Sequence, residues 1–290
     1  MARLLIEDGA DVNAKSNDGW TPMHLAAVLD HRQLAKLLIE KDAEVNARLK
    51  DQSTPLFLAT RQNHERMVEL LIDKGADPDL KGKDDSTALH RAANRGRDEM
   101  LKHFIEKGAT VNQKDKHQRT PLHMAAYYGK GTASTVKILI EGGAKLELVD
   151  ENGETPLYHA VRRQDASIAR ALLEKGADVS VRNKKGLTPL HIAVANCNVD
   201  TVKLLIDKGA DVNAKDMLGR QPLFMILDGS ASYHRGVRQG MEKDHQILKL
   251  LVANGVDLNA PDKQGRTLLK RAVALNWTDI VALLRKHGAK

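Results

Sequence analysis

Apolar residues recur along the chain in pairs of short runs that polar breaks separate. In residues 186–213, the first run, Leu190–Ala195, follows Thr188 and a proline, and the second, Val199–Ile206, has helical spacing. Threonine can cap the exposed backbone N–H groups of a helix, and proline fits the first turn, where its missing N–H is not needed. Glycine enters a left-handed cap without strain, so Gly209 ends the second run. The pattern predicts two short helices joined by a turn.

Copies of this helix pair recur through the chain. Neither helix can bury its apolar face alone, so the copies are expected to stack on one another. The spacings between their starting residues are 33, 33, 33, 35, 33, 33 and 46. The starting residues are Thr21, Thr54, Thr87, Thr120, Thr155, Thr188, Gln221 and Thr267.

The repeated unit resembles the ankyrin repeat family, which has a period of about 33 residues and the motif T-P-L-H-x-A. Clear copies are TPMHLAA from Thr21, TPLHMAA from Thr120 and TPLHIAV from Thr188, and the resemblance covers essentially the whole chain. It implies an all-α ankyrin-repeat solenoid of helix-turn-helix units with short β-hairpin fingers. It also implies a protein-binding module that works without cofactor or catalysis.

We expect residues 1–290 to form a single ankyrin repeat domain. Residues 1–15 match only the second half of a repeat, so we also expect the natural protein to continue upstream. The predicted full repeats are 16–48, 49–81, 82–114, 115–149, 150–182, 183–215, 216–261 and 262–290. The seventh has an insertion at 227–245. Insertions in repeat proteins often mark binding, although a tolerated surface loop is the favoured interpretation here.

The finger turn, two residues before the threonine, is glycine in five repeats but Gln52, Asp85 and Gln118 in three consecutive ones. Glycine at this place suggests a positive φ. We therefore expect these three residues to be mildly strained or to adopt a different turn.

The motif histidines His24, His90, His123 and His191 invite a metal hypothesis. They lie in separate repeats, about 8–10 Å apart or more, whereas a metal–nitrogen bond is about 2 Å long. Neighbours at that spacing cannot share an ion, so we expect each imidazole to bond to hairpin backbone.

Candidate catalytic features are weak. The GKGT sequence at 129–132 lacks the upstream glycine and preceding strand of a phosphate loop. Cys197 lies in an inter-helix turn without an evident activator, so we expect an inert thiol. No Ser/His/Asp or Cys/His arrangement has a supporting spacing. We therefore predict no catalytic residue, no metal site, no cofactor and no enzymatic activity.

The cysteine content and the apolar runs of the sequence indicate the cellular compartment. A single cysteine excludes an intramolecular disulfide and fits a reducing compartment. No apolar run approaches the ~20 residues that a membrane span requires. We expect a cytoplasmic monomer with no membrane contact, and the nucleus or delivery into a host cell are the alternatives.

Charge is concentrated on the surface that the ankyrin resemblance implies for partner binding, the finger tips and the exposed ends of the first helices. Nineteen basic and six acidic residues occupy these positions, a net charge of +13 against +7 for the whole chain. This segregation favours a basic concave face that attracts an acidic protein partner, with aromatic anchors among the charges. The predicted partner-binding residues are Trp20, Arg48, Lys50, Lys81, Lys83, Arg95, Lys116, Arg119, Tyr127, Tyr128, Arg162, Arg163, Lys184, Lys185 and Arg220.

Two other functions stay open. The charge permits binding of nucleic acid or a polyphosphate ligand, but aromatic residues make up only 3% of the chain, and stacking sites usually need more. The chain could also be the recognition domain of a larger enzyme or secreted effector whose activity lies outside these residues.

Overall fold

The computed structural model describes residues 2–127, 129–227 and 238–290, without the side chains of residues 2 and 238–241. It contains two compact units, Met1–Lys145 and Leu146–Lys290. The prediction that they form a single domain stays a prediction. Tyr128 and most of the predicted insertion at 227–245 lie outside the described residues.

The first unit contains nine α-helices within its described part. They are α1 (Ala2–Glu7), α2 (Pro22–Val28), α3 (Arg32–Glu40), α4 (Pro55–Gln62), α5 (Glu65–Asp73), α6 (Ala88–Arg95), α7 (Asp98–Glu106), α8 (Pro121–Ala126) and α9 (Ala133–Glu141). The first helices of the repeats, α2, α4, α6 and α8, pack one on the next, and α3, α5, α7 and α9 form a second row.

The second unit repeats this arrangement. Its described helices are α10 (Pro156–Arg163), α11 (Ala166–Glu174), α12 (Pro189–Ala195), α13 (Val199–Asp207), α14 (Arg238–Ala253), α15 (Leu268–Ala274) and α16 (Thr278–Lys286). Residues Pro222–Ile226 form a 3₁₀ helix where an α-helix would begin. The motif threonine is replaced there by Gln221, which makes no side-chain cap. The predicted all-α ankyrin-repeat fold is confirmed.

Small side chains let the first helices come close. Ala26 and Ala27 in α2, and Ala92 and Ala93 in α6, are completely buried. Larger apolar residues of the second helices, such as Leu38, fill the space between the two rows. Each helix therefore buries its apolar face only against neighbouring repeats, as repeat proteins require.

The motif histidines join each helix start to the next finger. Thr87 donates its backbone N–H to Nδ1 of His90, 3.2 Å away, so that Nε2 carries the proton and donates to the carbonyl of Arg119 at 3.0 Å. His24 reaches the Ser53 carbonyl in the same way, and His191 reaches that of Arg220. The prediction that these imidazoles bond to finger backbone is confirmed for these three.

The fingers are tight turns, and no described residue lies in a β-strand, although β-hairpins were expected. Each finger closes through bonds such as Leu49 N–H to the Ser53 carbonyl. Neighbouring fingers are joined by single bonds such as Lys116 N–H to the Asp84 carbonyl, too few for a ladder. Gln52, Asp85 and Gln118 have φ of 66°, 57° and 61°, which confirms the left-handed geometry inferred from the glycines.

Candidate protein-interaction surface

Those predicted partner-binding residues that the structure describes lie on the finger tips and at the ends of the first helices, which we call the finger surface of each unit. In the first unit, Lys50 lies 3.7 Å from Asp18 and Lys116 lies 2.5 Å from Asp84. Each pair joins one finger to the next. The four side chains are exposed, and such pairs contribute little to stability.

Arg119, which was expected to offer a free charge, forms an ion pair with Asp115 in its own finger. Its guanidinium donates to Oδ2 of Asp115 from both Nε and Nη2, at 3.0 and 2.7 Å. The Asp115 side chain is fully buried, and its other oxygen accepts the backbone N–H groups of His117 and Arg119. The positive charge of Arg119 is thus largely neutralised within its own finger.

The same aspartate–arginine pair recurs in the second unit. Arg220 lies 2.6 Å from Asp216, and Arg266 lies 2.8 Å from Asp262. These aspartates lie five residues before the starting residue of each repeat, and their negative charges are not part of the sum of +13. An Asp-x-x-x-Arg spacing in several fingers was the sequence signal for these pairs. The free positive charge of the surface is therefore smaller than +13.

Other basic residues of the first unit keep their charge free. Lys83 and Arg95 are exposed and form no ion pair within the described residues. Arg48 donates to the neutral Gln52 side chain at 3.0 Å, and Lys81 donates to a backbone carbonyl at 3.0 Å. These four side chains supply uncompensated charge to the finger surface.

The predicted aromatic anchors are partly used by the fold. Trp20 is half-buried, packs against Leu49, Phe57 and Leu58, and meets the His24 ring edge-on at 5.9 Å between centroids. The Cζ atom of Arg119 lies over the ring of the half-buried Tyr127, 5.9 Å from the ring centroid. The third predicted anchor, Tyr128, lies outside the described residues.

In the second unit the predicted basic residues fall into two classes. Arg162 lies 2.6 Å from Glu154, and Arg163 lies 3.6 Å from Asp165. Lys184 and Lys185 are exposed on a finger tip and form no ion pair within the described part of the chain. The charges of these two lysines are therefore available on this unit's finger surface.

A buried polar network lies beneath Arg162. Asp150, Glu154 and His159 are at most 6% exposed, and His159 lies 3.0 Å from Asp150. Burial by itself would raise the pKa of Asp150. Hydrogen bonds from His159 and from the backbone N–H groups of Glu154 and Asn152 outweigh it and lower the pKa to about 2.

These three side chains are the only described group with the composition and proximity of a metal site, since their ligand atoms lie within 4.8 Å of one another. Arg162 and the Asn183 amide both donate to Oε1 of Glu154, and His159 is bonded to Asp150. Both carboxylates thus already accept hydrogen bonds from protein groups, which favours a structural role over metal binding. The network holds Arg162 and the next finger in place.

The remaining candidate chemistry has structural roles. Cys197 is buried and donates to Asp244 at 3.2 Å. Burial, and then the Asp244 carboxylate, raise the pKa of the Cys197 thiol to about 12, so it is protonated and unreactive. In the GKGT sequence a Cβ at Gly131 would lie 2.3 Å from the Ala125 carbonyl oxygen. This glycine serves close backbone packing.

Exposed apolar side chains also occur on the surface. Leu25 and Leu29, one turn apart on and just after α2, are more than half exposed. Met217 and Leu218 are similarly exposed on a finger tip of the second unit. No helix within the described residues is both long and apolar enough to cross a bilayer.

Comparison with known proteins agrees with the geometry. A family model described as ankyrin repeats (3 copies) matches residues 1–82, 77–150 and 125–216. A solved structure is similar, with a TM-score of 0.66 and 28% identity over 72% of this chain and 95% of that one. It is described as the ankyrin repeat domain of Bcl-3, a unique member of the IkappaB protein family. No curated protein sequence matches the chain. Because the matched segments span residues 1–216, the chain belongs to the ankyrin repeat family.

Proposed function

We propose that this chain is a non-catalytic protein-interaction module in which the finger surface of each unit binds an acidic segment of a protein partner. Ankyrin repeats are protein–protein interaction modules, which supplies the general function. The observation that carries the specific proposal is the set of exposed basic side chains without an ion-pair partner among the described residues. They are Lys83 and Arg95 in the first unit and Lys184 and Lys185 in the second.

Paired and unpaired basic residues have different roles in this proposal. Arg119 and Arg220 are bonded to buried aspartates, so an acidic partner would have to compete with those carboxylates. Exposed lysines without a partner lose no internal bond on binding. They attract an acidic segment over roughly a Debye length, about 10 Å at 0.1 M salt, and mainly raise the association rate.

The absence of catalysis is part of the proposal. The buried thiol of Cys197 is held as a protonated donor, and the Asp150–His159 pair is closed by its own hydrogen bonds. Both arrangements favour structural roles for the residue types that could otherwise supply a nucleophile or a base.

The test compares two labelled ligands on the whole chain, a glutamate-rich peptide and a single-stranded RNA of equal length. Their affinities are measured between about 50 and about 500 mM salt, where screening changes strongly. The proposal expects tighter binding of the peptide and a loss of affinity as salt rises. Tighter binding of the RNA would overturn it in favour of nucleic-acid recognition.

A matched set of variants locates the surface. Lys83→Glu, Arg95→Glu, Lys184→Glu and Lys185→Glu together should reduce peptide binding at least tenfold, because each reversal replaces attraction with repulsion. Lys36→Glu, Lys137→Glu, Arg170→Glu and Lys203→Glu together, at exposed positions of the second helices and two in each unit, are the control. Equal losses in both sets would show that binding follows net charge and not the finger surface.

A further inference from the structure

Three arginines lie together on adjacent first helices of the first unit. Arg61 is in the last turn of α4, and Arg91 and Arg95 are one turn apart on α6, which packs against α4. Residues four apart on a helix share a face, with about 5–6 Å between Cβ atoms. We call Arg61, Arg91 and Arg95 the arginine site.

Arg91 is held in place by an aromatic ring. Its Cζ atom lies 5.1 Å from the centroid of Phe57, which is 1% exposed. Phe57 occupies the position of the motif histidine in its repeat, so a ring face replaces the usual bond from imidazole to finger backbone. Gly82 of the next finger packs on the same ring, where a Cβ would lie 3.1 Å from Cδ2. The guanidinium of Arg91 is thus positioned before any ligand binds.

The charge of the site is not balanced by the protein. Arg61, Arg91 and Arg95 form no ion pair within the described residues, and the Nε–H of Arg91 is buried without an acceptor. The carboxylate that acts on Arg91, that of Asp84, is bound by Lys116, and Asp115 of the following finger is bound by Arg119. Three positive charges therefore remain close together.

The electrostatics of Arg91 reflect this crowding. Burial is the main cause that lowers the pKa of Arg91. Asp84 opposes it, while the positive charges of Arg61, Arg95 and Arg119 lower the pKa further. The site therefore carries unfavourable self-repulsion that an anion would relieve.

We propose that Arg61, Arg91 and Arg95 bind a phosphoryl group carried by the protein partner. This inference rests on the proposed function and names an anchor within it. A phosphorylated serine or threonine brings a charge of about −1.5 to −2 and three acceptor oxygens. Guanidinium groups match it through paired N–H donors, and a single carboxylate offers less charge, about −1, and only two acceptor oxygens.

The experiment uses a short acidic peptide with a central phosphoserine and its serine and glutamate counterparts. Their affinities for the whole chain are measured by fluorescence anisotropy at one salt concentration. We expect the phosphopeptide to bind about tenfold more tightly than either counterpart, since the phosphoryl group offers three guanidinium groups more negative charge and one more acceptor oxygen than a carboxylate does. Equal affinity of the phosphoserine and glutamate peptides would overturn the inference.

Variants test the residues. Arg91→Gln combined with Arg95→Gln should bring the phosphopeptide down to the affinity of the serine peptide. Arg91→Lys should keep the charge but lose most of the preference, because lysine lacks the planar fork. Arg66→Gln combined with Arg170→Gln, at exposed positions of the second helices α5 and α11, is the matched control. A phosphate preference that survives in the double variant would overturn the inference.

Two readouts separate this inference from the proposed function. Titration with inorganic phosphate should shift the Nε–Hε resonance of Arg91 in NMR spectra, and should do so more weakly than the phosphopeptide. Inorganic phosphate as effective as the phosphopeptide would contradict a phosphoryl group borne by a partner. Salt-sensitive binding of all three peptides without a phosphate preference would reject only the arginine site, whereas failure of every peptide to bind would reject the proposed function.

Discussion

Oδ2 of the buried Asp115 carboxylate lies 2.7 Å from Nη2 of Arg119, four residues later in the same finger. The other carboxylate oxygen accepts two backbone N–H groups of that finger. This aspartate therefore closes the finger as a turn and fixes an arginine on its surface. A finger residue that looks like a binding charge can thus be part of the fold.

Replacement of this carboxylate should destabilise the first unit. Asp115→Ala leaves two backbone donors and a guanidinium without their acceptor, so we expect a loss of about 2 kcal/mol in the free energy of unfolding. Asp18→Ala removes an exposed carboxylate 3.7 Å from Lys50 and should cost less than about 1 kcal/mol. Urea denaturation of both variants compares them. Equal losses of unfolding free energy would contradict a larger contribution from the buried Asp115 carboxylate.

Acid should weaken the first unit through His90. Burial lowers the pKa of His90 to about 4, although the bond to the Arg119 carbonyl opposes it. The unfolded chain therefore binds more protons between pH 6.5 and about 4. The contribution of the neutral imidazole is complete above pH 6.5 and is lost as the pH falls towards 4.

The variant His90→Phe isolates this effect, because phenylalanine occupies the equivalent position at Phe57 and does not titrate. The difference in unfolding free energy between wild type and variant should shrink by up to about 3 kcal/mol between pH 7 and pH 4. Urea denaturation across this pH range measures it. A difference independent of pH would contradict a buried neutral histidine.

Thr188 and Thr155, which both precede a first helix in the second unit, should respond differently to loss of the hydroxyl. Thr188 Oγ1 lies 2.8 Å from Nδ1 of His191, whereas Thr155 Oγ1 is buried without a hydrogen-bond partner among the described residues. Tyr158 stands where His191 would stand in that repeat, and its hydroxyl instead accepts the Asn183 N–H at 3.3 Å.

Thr188→Val should therefore cost about 1–2 kcal/mol, the usual contribution of a helix cap. Thr155→Val should be neutral or slightly stabilising, since it removes a buried polar group that has no bond to lose. Thermal unfolding of the two variants makes the comparison. A large loss for Thr155→Val would show that its hydroxyl has a partner after all.

The finger turn should accept glycine better than glutamine. Gln118 has φ of 61°, a conformation that costs a non-glycine residue roughly 1 kcal/mol, so Gln118→Gly should raise stability by up to about that amount. Gly19, at the same place in another finger, has φ of 84°, and its Cβ would lie 3.2 Å from the Arg48 carbonyl oxygen. Gly19→Ala should destabilise. A stabilising alanine there would contradict the strain argument.

The thiol of Cys197 should be inert in the folded protein. Its pKa of about 12 leaves almost no thiolate at pH 8, and burial blocks access. Ellman's reagent should react only after urea is added. Rapid labelling of the native protein would show that this turn opens or that the thiol is activated.

The sequence alone determined the repeat, its helix pairs and their caps. These features depend on chemistry inside one unit: a threonine that caps, a proline in the first turn and apolar residues at helical spacing. The left-handed conformation of Gln52 and Gln118 also followed from glycine at the same place in other fingers. Local rules suffice where the interacting groups are a few residues apart.

Only the tertiary structure decided which charges are free. Arg119 is neutralised because packing buries Asp115 beside it, and Lys83 stays free because no carboxylate of the described residues pairs with it. Arg91 lies on Phe57, 34 residues earlier, because one repeat stacks on the next. These contacts depend on which side chains packing buries and on which side chains of neighbouring repeats meet. The sequence pattern of a single repeat therefore cannot predict them.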